Sequence, residues 1–137
     1  MAFERAILDV PGAIAGASFA TGNGYGSTGQ FLFCKLSAAN TYIPCTATTD
    51  NPVGVSQNNP ANADGLQLRI AGISKIVAGG TIAAGDEIGT TAQGKAIKKN
   101  PTATGAEYGH YVRGIALDAA ASGELVSVYL DPYYRIH

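Results

Sequence analysis

Charge and reactive side chains are what this chain has least of. Of its 137 residues only 14% are charged, two are histidine, two are cysteine and none is tryptophan. An average soluble domain carries about 25% charged residues, so much of this surface must be Ala, Gly, Ser, Thr and Asn. A formal net charge of -1 leaves no basic footprint for a phosphate backbone, and no nucleic-acid partner is expected. No run approaches the roughly 18 apolar residues of a bilayer span, so no membrane partner is expected either. The opening Met1-Ala2-Phe3-Glu4-Arg5-Ala6-Ile7-Leu8-Asp9 puts acids on both sides of a three-residue apolar run, which is not the pattern of a signal peptide. A glycosylation sequon is missing too, since Asn100 is followed by Pro101. Synthesis in the cytoplasm is the expectation.

The scarcity of histidine weighs against catalysis. His110 follows Gly109 in a loop and His137 is the last residue, neither with a neighbouring acid or nucleophile to complete a triad. Asp86 and Glu87 are adjacent, and neighbours on a strand point to opposite faces, so they read as solvated turn acids and not as a carboxylate pair. Cys34 and Cys45 have no histidine near them in sequence, which excludes a zinc site. They could form a disulfide only if their strands set them opposite each other, and a cytosolic chain favours reduced thiols. Gly24-Tyr25-Gly26-Ser27-Thr28-Gly29 matches G-x-G-x-x-G. It runs into Gln30-Phe31-Leu32-Phe33, a strand pattern, so no helix N-terminus is there to hold a pyrophosphate. No catalytic residue, metal or cofactor is expected.

What the chain does have is alternation. In Gly65-Leu66-Gln67-Leu68-Arg69-Ile70 the apolar residues occupy every second place, as on a strand with one buried and one wet face. Gly72 interrupts it, a bulge or bend, and Ile73 to Val77 resumes. Ser122-Gly123-Glu124-Leu125-Val126-Ser127-Val128 repeats the pattern, with Gly123 set on Gly65, Val126 on Leu68 and Val128 on Ile70. Upstream, Val53-Gly54-Val55-Ser56 is echoed by Arg113-Gly114-Ile115-Ala116. Two copies of one β unit follow, with Leu68, Ile70, Val126 and Val128 as core.

Taken in order, residues 1–10 are either a short strand or a helical turn. Residues 1–30 end in a glycine-rich stretch, with glycine at 12, 16, 22, 24, 26 and 29. This density opposes both helix and central strand and reads as an extended arm anchored by Ile14, Phe19 and Tyr25. Residues 31–137 read as a single β domain: repeat one over about 31–77, repeat two over about 81–130, and a tail over 131–137. Residues 31–45 form a hairpin; a two-residue turn at Ala39-Asn40 would set Leu36 opposite Ile43 and Cys34 opposite Cys45. A second hairpin over 87–97 takes the same place in repeat two, followed by a longer loop over 100–109. Lys95, Lys98 and Lys99 read as a solvated hairpin edge. The fold class is all-β, a small barrel or sandwich of about eight to ten short strands.

Pro52-Val53-Gly54-Val55, Gly65 to Gly72, Ile82-Ala83-Ala84-Gly85-Asp86, Gly94-Lys95-Ala96, Val112 to Leu117 and Ala121 to Val128 together resemble the tailed-phage capsid decoration, or cement, proteins. The resemblance covers roughly residues 52–130. It implies a β-barrel or sandwich on the outer surface of a phage head, locking neighbouring major capsid subunits. It also implies a homo-oligomer, a trimer in preference to a dimer, and transfers no catalytic residue. The expected contact residues are Ile14, Phe19 and Tyr25 of the arm and Tyr133, Tyr134, Arg135 and Ile136 of the tail. A receptor- or carbohydrate-binding module of a fibre or spike is the alternative, with Tyr133 and Tyr134 as its aromatic platform. A small all-β enzyme is the third class, opposed by the missing histidines and acid pairs.

Overall fold

The structure, a computed structural model, describes residues 8–99 and 110–136, the last six as backbone only. Ten β-strands occupy them: β1 (Leu8–Asp9), β2 (Ile14–Ala15), β3 (Phe33–Ala38), β4 (Thr41–Pro44), β5 (Gly54–Ser56), β6 (Leu68–Val77), β7 (Glu87–Thr90), β8 (Ala96–Lys98), β9 (Tyr111–Ala116) and β10 (Leu125–Ile136). They form one mixed sheet in the order β2-β4-β3-β5-β6-β10-β9-β7-β8, with β1 also on β6. The all-β expectation holds. Of the two architectures expected, a closed barrel is not what forms, because β2 and β8 end the order unpaired with each other.

The order is that of a duplication. Repeat one contributes β4-β3-β5 and the start of β6, and repeat two contributes β8-β7-β9-β10 and the rest of β6, so the two are joined within β6. Many backbone hydrogen bonds recur at matched positions. Phe19 N–H donates to the Pro60 carbonyl (3.0 Å) as Ile82 N–H does to Ala120 (2.9 Å). Gly16 donates to Tyr42 (2.8 Å) as Gly79 does to Ala96 (2.7 Å), and Phe31 to Ser56 as Gly85 to Ala116, both at 2.8 Å. Val55 pairs with Arg69 as Ile115 pairs with Tyr129. The true match therefore sets Leu68 on Val128 and Leu66 on Val126, two residues from the alignment read in the sequence. A slip of two keeps every side chain on its face, which is why Leu68, Val126 and Val128 are all fully buried as expected, with Ile70 partly buried against the cluster that holds Leu68.

Each repeat encloses its own core, and the two cores are built from matched positions. Ala13, Ala15, Phe19, Cys34, Tyr42, Leu66 and Leu68 cluster in repeat one. Ile76, Ala78, Ile82, Ile88, Ala96, Val126 and Val128 are their counterparts in repeat two. Phe33, Cys45 and Val55 from repeat one complete the second cluster, so repeat one is laid against repeat two. The buried Arg113 guanidinium ties them further, donating to the carbonyls of Val53 (2.9 Å) and Ile70 (3.2 Å).

Residues 11–30 accordingly do not stand away from the domain as an arm. Ala13, Ala15 and Phe19 are core, Phe19 being 0% exposed. The glycines that argue against regular structure instead permit close approach. A Cβ at Gly29 would sit 1.9 Å from the Phe19 carbonyl oxygen. The first repeat thus begins well before residue 31, and its connection from Phe19 to β3 is simply longer than that from Ile82 to β7.

The β3–β4 hairpin differs from expectation by one residue. Cys34 faces Pro44 and Leu36 faces Tyr42, with a register shift between Leu36 and Ala38 that places an extra residue in one strand. The cysteines are free and buried. The expected tail is also strand: β10 continues to Ile136, with Arg135 opposite Val112. The ladder is interrupted between Leu130 and Arg135, where Pro132 has no N–H to give. The expected loop over 100–109 lies outside the described residues.

Candidate interaction surface

Strand alternation decides which side chains reach solvent. On β10, Val126, Val128 and Leu130 point inward and are fully buried, while Leu125, Ser127 and Tyr129 point outward. The same alternation turns Ile73 outward on β6 and Ile115 outward on β9, with Leu117 just beyond the strand. Pairing lines these up: Ile73 is opposite Tyr129, Tyr129 opposite Ile115, and Ile115 opposite Glu87. Leu117 N–H donates to the Ser127 carbonyl (2.8 Å), which holds Leu117 beside the row. Close approach of the strands here depends on Gly114, where a Cβ would lie 2.4 Å from the Tyr129 carbonyl oxygen. Ile73 and Leu117 are each 49% exposed and Tyr129 is 44% exposed. The middle of the sheet thus carries an apolar outer row, rimmed by Lys75, Glu87 and Asp118, whose Oδ1 accepts from Ser127 N–H (2.9 Å).

Of the contact residues expected from the sequence, Ile14, Phe19 and Tyr25 have described side chains. Ile14 (41%) and Tyr25 (54%) are exposed, and Tyr25 tilts against Phe31 with ring centroids 6.1 Å apart. Phe19 is core. Tyr133, Tyr134, Arg135 and Ile136 lie on β10, their side chains outside those described. The row of Ile73, Leu117 and Tyr129 is not among the expected contacts. Comparing the repeats at the correct offset would have pointed to it, as argued below.

Chemistry is sparse. Burial pushes the Cys34 thiol far up, with Cys45 nearby adding to the effect, and burial pushes the Cys45 thiol up to about 12. Neither is a nucleophile near neutral pH. A shallow cleft of about 250 Å³ over Cys45, walled by Ala17, Thr21, Ile43, Pro44 and Ala92, offers little polar surface. Asp86 accepts from Ala83 N–H (2.9 Å) and lies 3.6 Å from the Lys98 ammonium, a turn acid as expected. Lys99 departs from the solvated edge. It is 3% exposed, and its Nζ lies 3.0 Å from His110 Nδ1 and 3.5 Å from the Thr48 carbonyl. G-x-G-x-x-G forms a loop with one 3-10 turn at Tyr25–Ser27 and leads to β3. Among the described residues no group of three or more His, Cys, Asp or Glu could hold a metal ion, and no helix is long and apolar enough to cross a membrane.

The described residues thus form a duplicated β module with an apolar row on its central strands. The model of the phage cement protein family matches residues 14–130, and the chain belongs to that family. It is a structural component of the virion, carried on the capsid. No curated protein matches the chain. Among solved structures it is similar to the head fiber gp8.5 N base of bacteriophage phi29, with a TM-score of 0.64, 18% identity, and 96% of this chain and 99% of that chain covered. At that identity the likeness is one of fold.

Proposed function

We propose that this protein binds the outer surface of a phage head and stabilises contacts between major capsid subunits, without catalysis. The observation that carries this is the family match over residues 14–130. Its partner is the major capsid protein, and it acts as a homo-oligomer, a trimer in preference to a dimer. Such a task needs no chemistry, only modest contacts multiplied over a shell, where linked contacts raise the effective concentration. A net charge of -1 keeps closely spaced copies from repelling one another. Ile14 and Tyr25, and Tyr133, Tyr134, Arg135 and Ile136 of β10, remain proposed contacts with neighbouring subunits. The test adds purified protein to heads assembled without it. Co-sedimentation near the copy number of the capsid protein, with a higher temperature of head disruption, is expected. Absence of co-sedimentation rejects the proposal.

A second reading draws on the head-fiber neighbour: a fibre or spike module that binds a receptor or carbohydrate. Glycan-array binding together with failure to bind heads would establish it instead.

A further inference from the structure

The duplication supplies an internal control for the outward side chains of the paired strands, because positions in repeat two have counterparts on the matching strands of repeat one. In repeat two the row runs Ile73, Tyr129, Ile115, Glu87. In repeat one the matching row runs Asp9, Arg69, Val55, Phe33. Where repeat two sets Ile73 against Tyr129, repeat one sets Asp9 against Arg69 beside a register shift between Leu8 and Asp9, with Oδ1 and Nε 3.2 Å apart. Leu117, whose N–H bonds to Ser127, is matched by Gln57, whose N–H bonds to Gln67 (2.7 Å). The fold therefore accepts an ion pair and an amide at these places. Three large apolar groups left about half exposed in repeat two are not required by the strands that hold them.

The rest of the row says what such a face does. In repeat one, Val55 and Phe33 are 0% exposed because that face is laid against repeat two. In repeat two the same face leaves Ile73, Leu117 and Tyr129 about half exposed, and its charged members stand at the rim. An apolar centre with a polar rim is the anatomy of a protein-binding patch. The three side chains offer on the order of 300 Å², at the 150–250 Å² a large side chain buries. A stable stand-alone interface needs about 800 Å² per partner. That is too little to hold a second copy alone, and it suits one contact among several made by each copy on a shell.

We infer that the outer face of β6, β10 and β9 at Ile73, Leu117 and Tyr129 is the surface that seats on the capsid protein of the head. This rests on the head-binding reading above and names the face that serves it.

The test transplants repeat one's chemistry into repeat two. The double variant Ile73→Asp with Tyr129→Arg imports the cross-strand pair that Asp9 and Arg69 make in repeat one. Leu117→Gln imports the side chain of Gln57. Full-length protein is assayed by co-sedimentation with heads assembled without it, by circular dichroism, and by light scattering for oligomeric state. The expected result is a folded protein of unchanged oligomeric state whose head affinity falls at least tenfold in the double variant, and several-fold in Leu117→Gln. Should the double variant not fold, the Leu117→Gln result decides. Head binding equal to the parent protein overturns the inference. So does a changed oligomeric state with head binding retained, which would make the face a self-contact. Failure of the parent protein itself to bind heads would instead remove the proposed function.

Discussion

Repeat one and repeat two share a topology and a core plan, yet they meet their backbone demands differently. Three matched positions take a left-handed backbone in both repeats. Repeat two fills all three with glycine: Gly85 (φ 91°), Gly94 (φ 79°) and Gly123 (φ 89°). Repeat one fills the matching places with Phe31 (φ 63°), Asn40 (φ 49°) and Ala63 (φ 71°). The geometry belongs to the fold, since it persists where the residue does not favour it. The repeats differ as much on the outside. Repeat one's face is covered by the rest of the chain, and repeat two's is left open.

The largest effect should come from removing what makes repeat one resemble repeat two. Deleting residues 1–29 takes Ala13, Ala15 and Phe19 out of a seven-residue cluster, and with them the hydrogen bonds that Ala15, Gly16 and Phe19 donate to Asp64, Tyr42 and Pro60. The truncated protein is expected to lose its cooperative thermal transition, with repeat one unfolded. A sharp transition near that of the parent would mean repeat one closes without its first segment.

Next come single truncations at one matched pair. Phe19→Ala should cost about 3–5 kcal/mol and Ile82→Ala about 2–5 kcal/mol, the range for buried aromatic and aliphatic side chains. Both are read from denaturant melts. A loss below about 1 kcal/mol at Phe19 alone would break the equivalence of the two cores.

A reciprocal pair of substitutions probes the left-handed turns. No atom lies within 4 Å of a Cβ added at Gly123, so Gly123→Ala isolates the backbone term and should destabilise by about 1–2 kcal/mol. Ala63→Gly relieves the same strain in repeat one. Its gain is offset by the extra freedom glycine gives the unfolded chain, leaving a net stabilisation of at most about 1 kcal/mol. Equal and same-signed changes in the two variants would show that the turns are not equivalent.

The smallest effect concerns a tie in repeat one's short connection from β4 to β5. Burial alone would raise the Asp50 carboxyl. Hydrogen bonds from Thr46 N–H, the Lys35 ammonium (3.0 Å) and Ala47 N–H outweigh it and hold the group below its usual value. A group whose folded value is depressed contributes stability above its unfolded pKa, about 3.9, and loses it as pH falls through the folded value. The parent should therefore lose more stability below about pH 4 than Asp50→Asn does. Parallel acid titrations of the two proteins would remove this assignment.

Alternation in Leu66 to Ile70 and Val126 to Val128 was enough, in the sequence alone, to establish an all-β chain, its duplication and the inward faces of its two central strands. Period two is a local property of the backbone, and an error of two residues in alignment leaves it intact. The resemblance to cement proteins rests on the same segments. Other features needed the tertiary structure. Phe19 looks like a lone anchor in glycine-rich sequence, because the residues that bury it, among them Tyr42 and Leu66, are distant in the chain. Cys34 and Cys45 miss each other through one shifted residue at the hairpin, and a single-residue shift reverses faces where a shift of two does not. Lys99 reads as a solvated cation until His110 and Thr48 are brought to it. Ile73, Leu117 and Tyr129 are ordinary strand residues in sequence. Only pairing of β10 with β6 and β9 brings them together, and only the packing of one repeat on the other decides which of the two faces is covered.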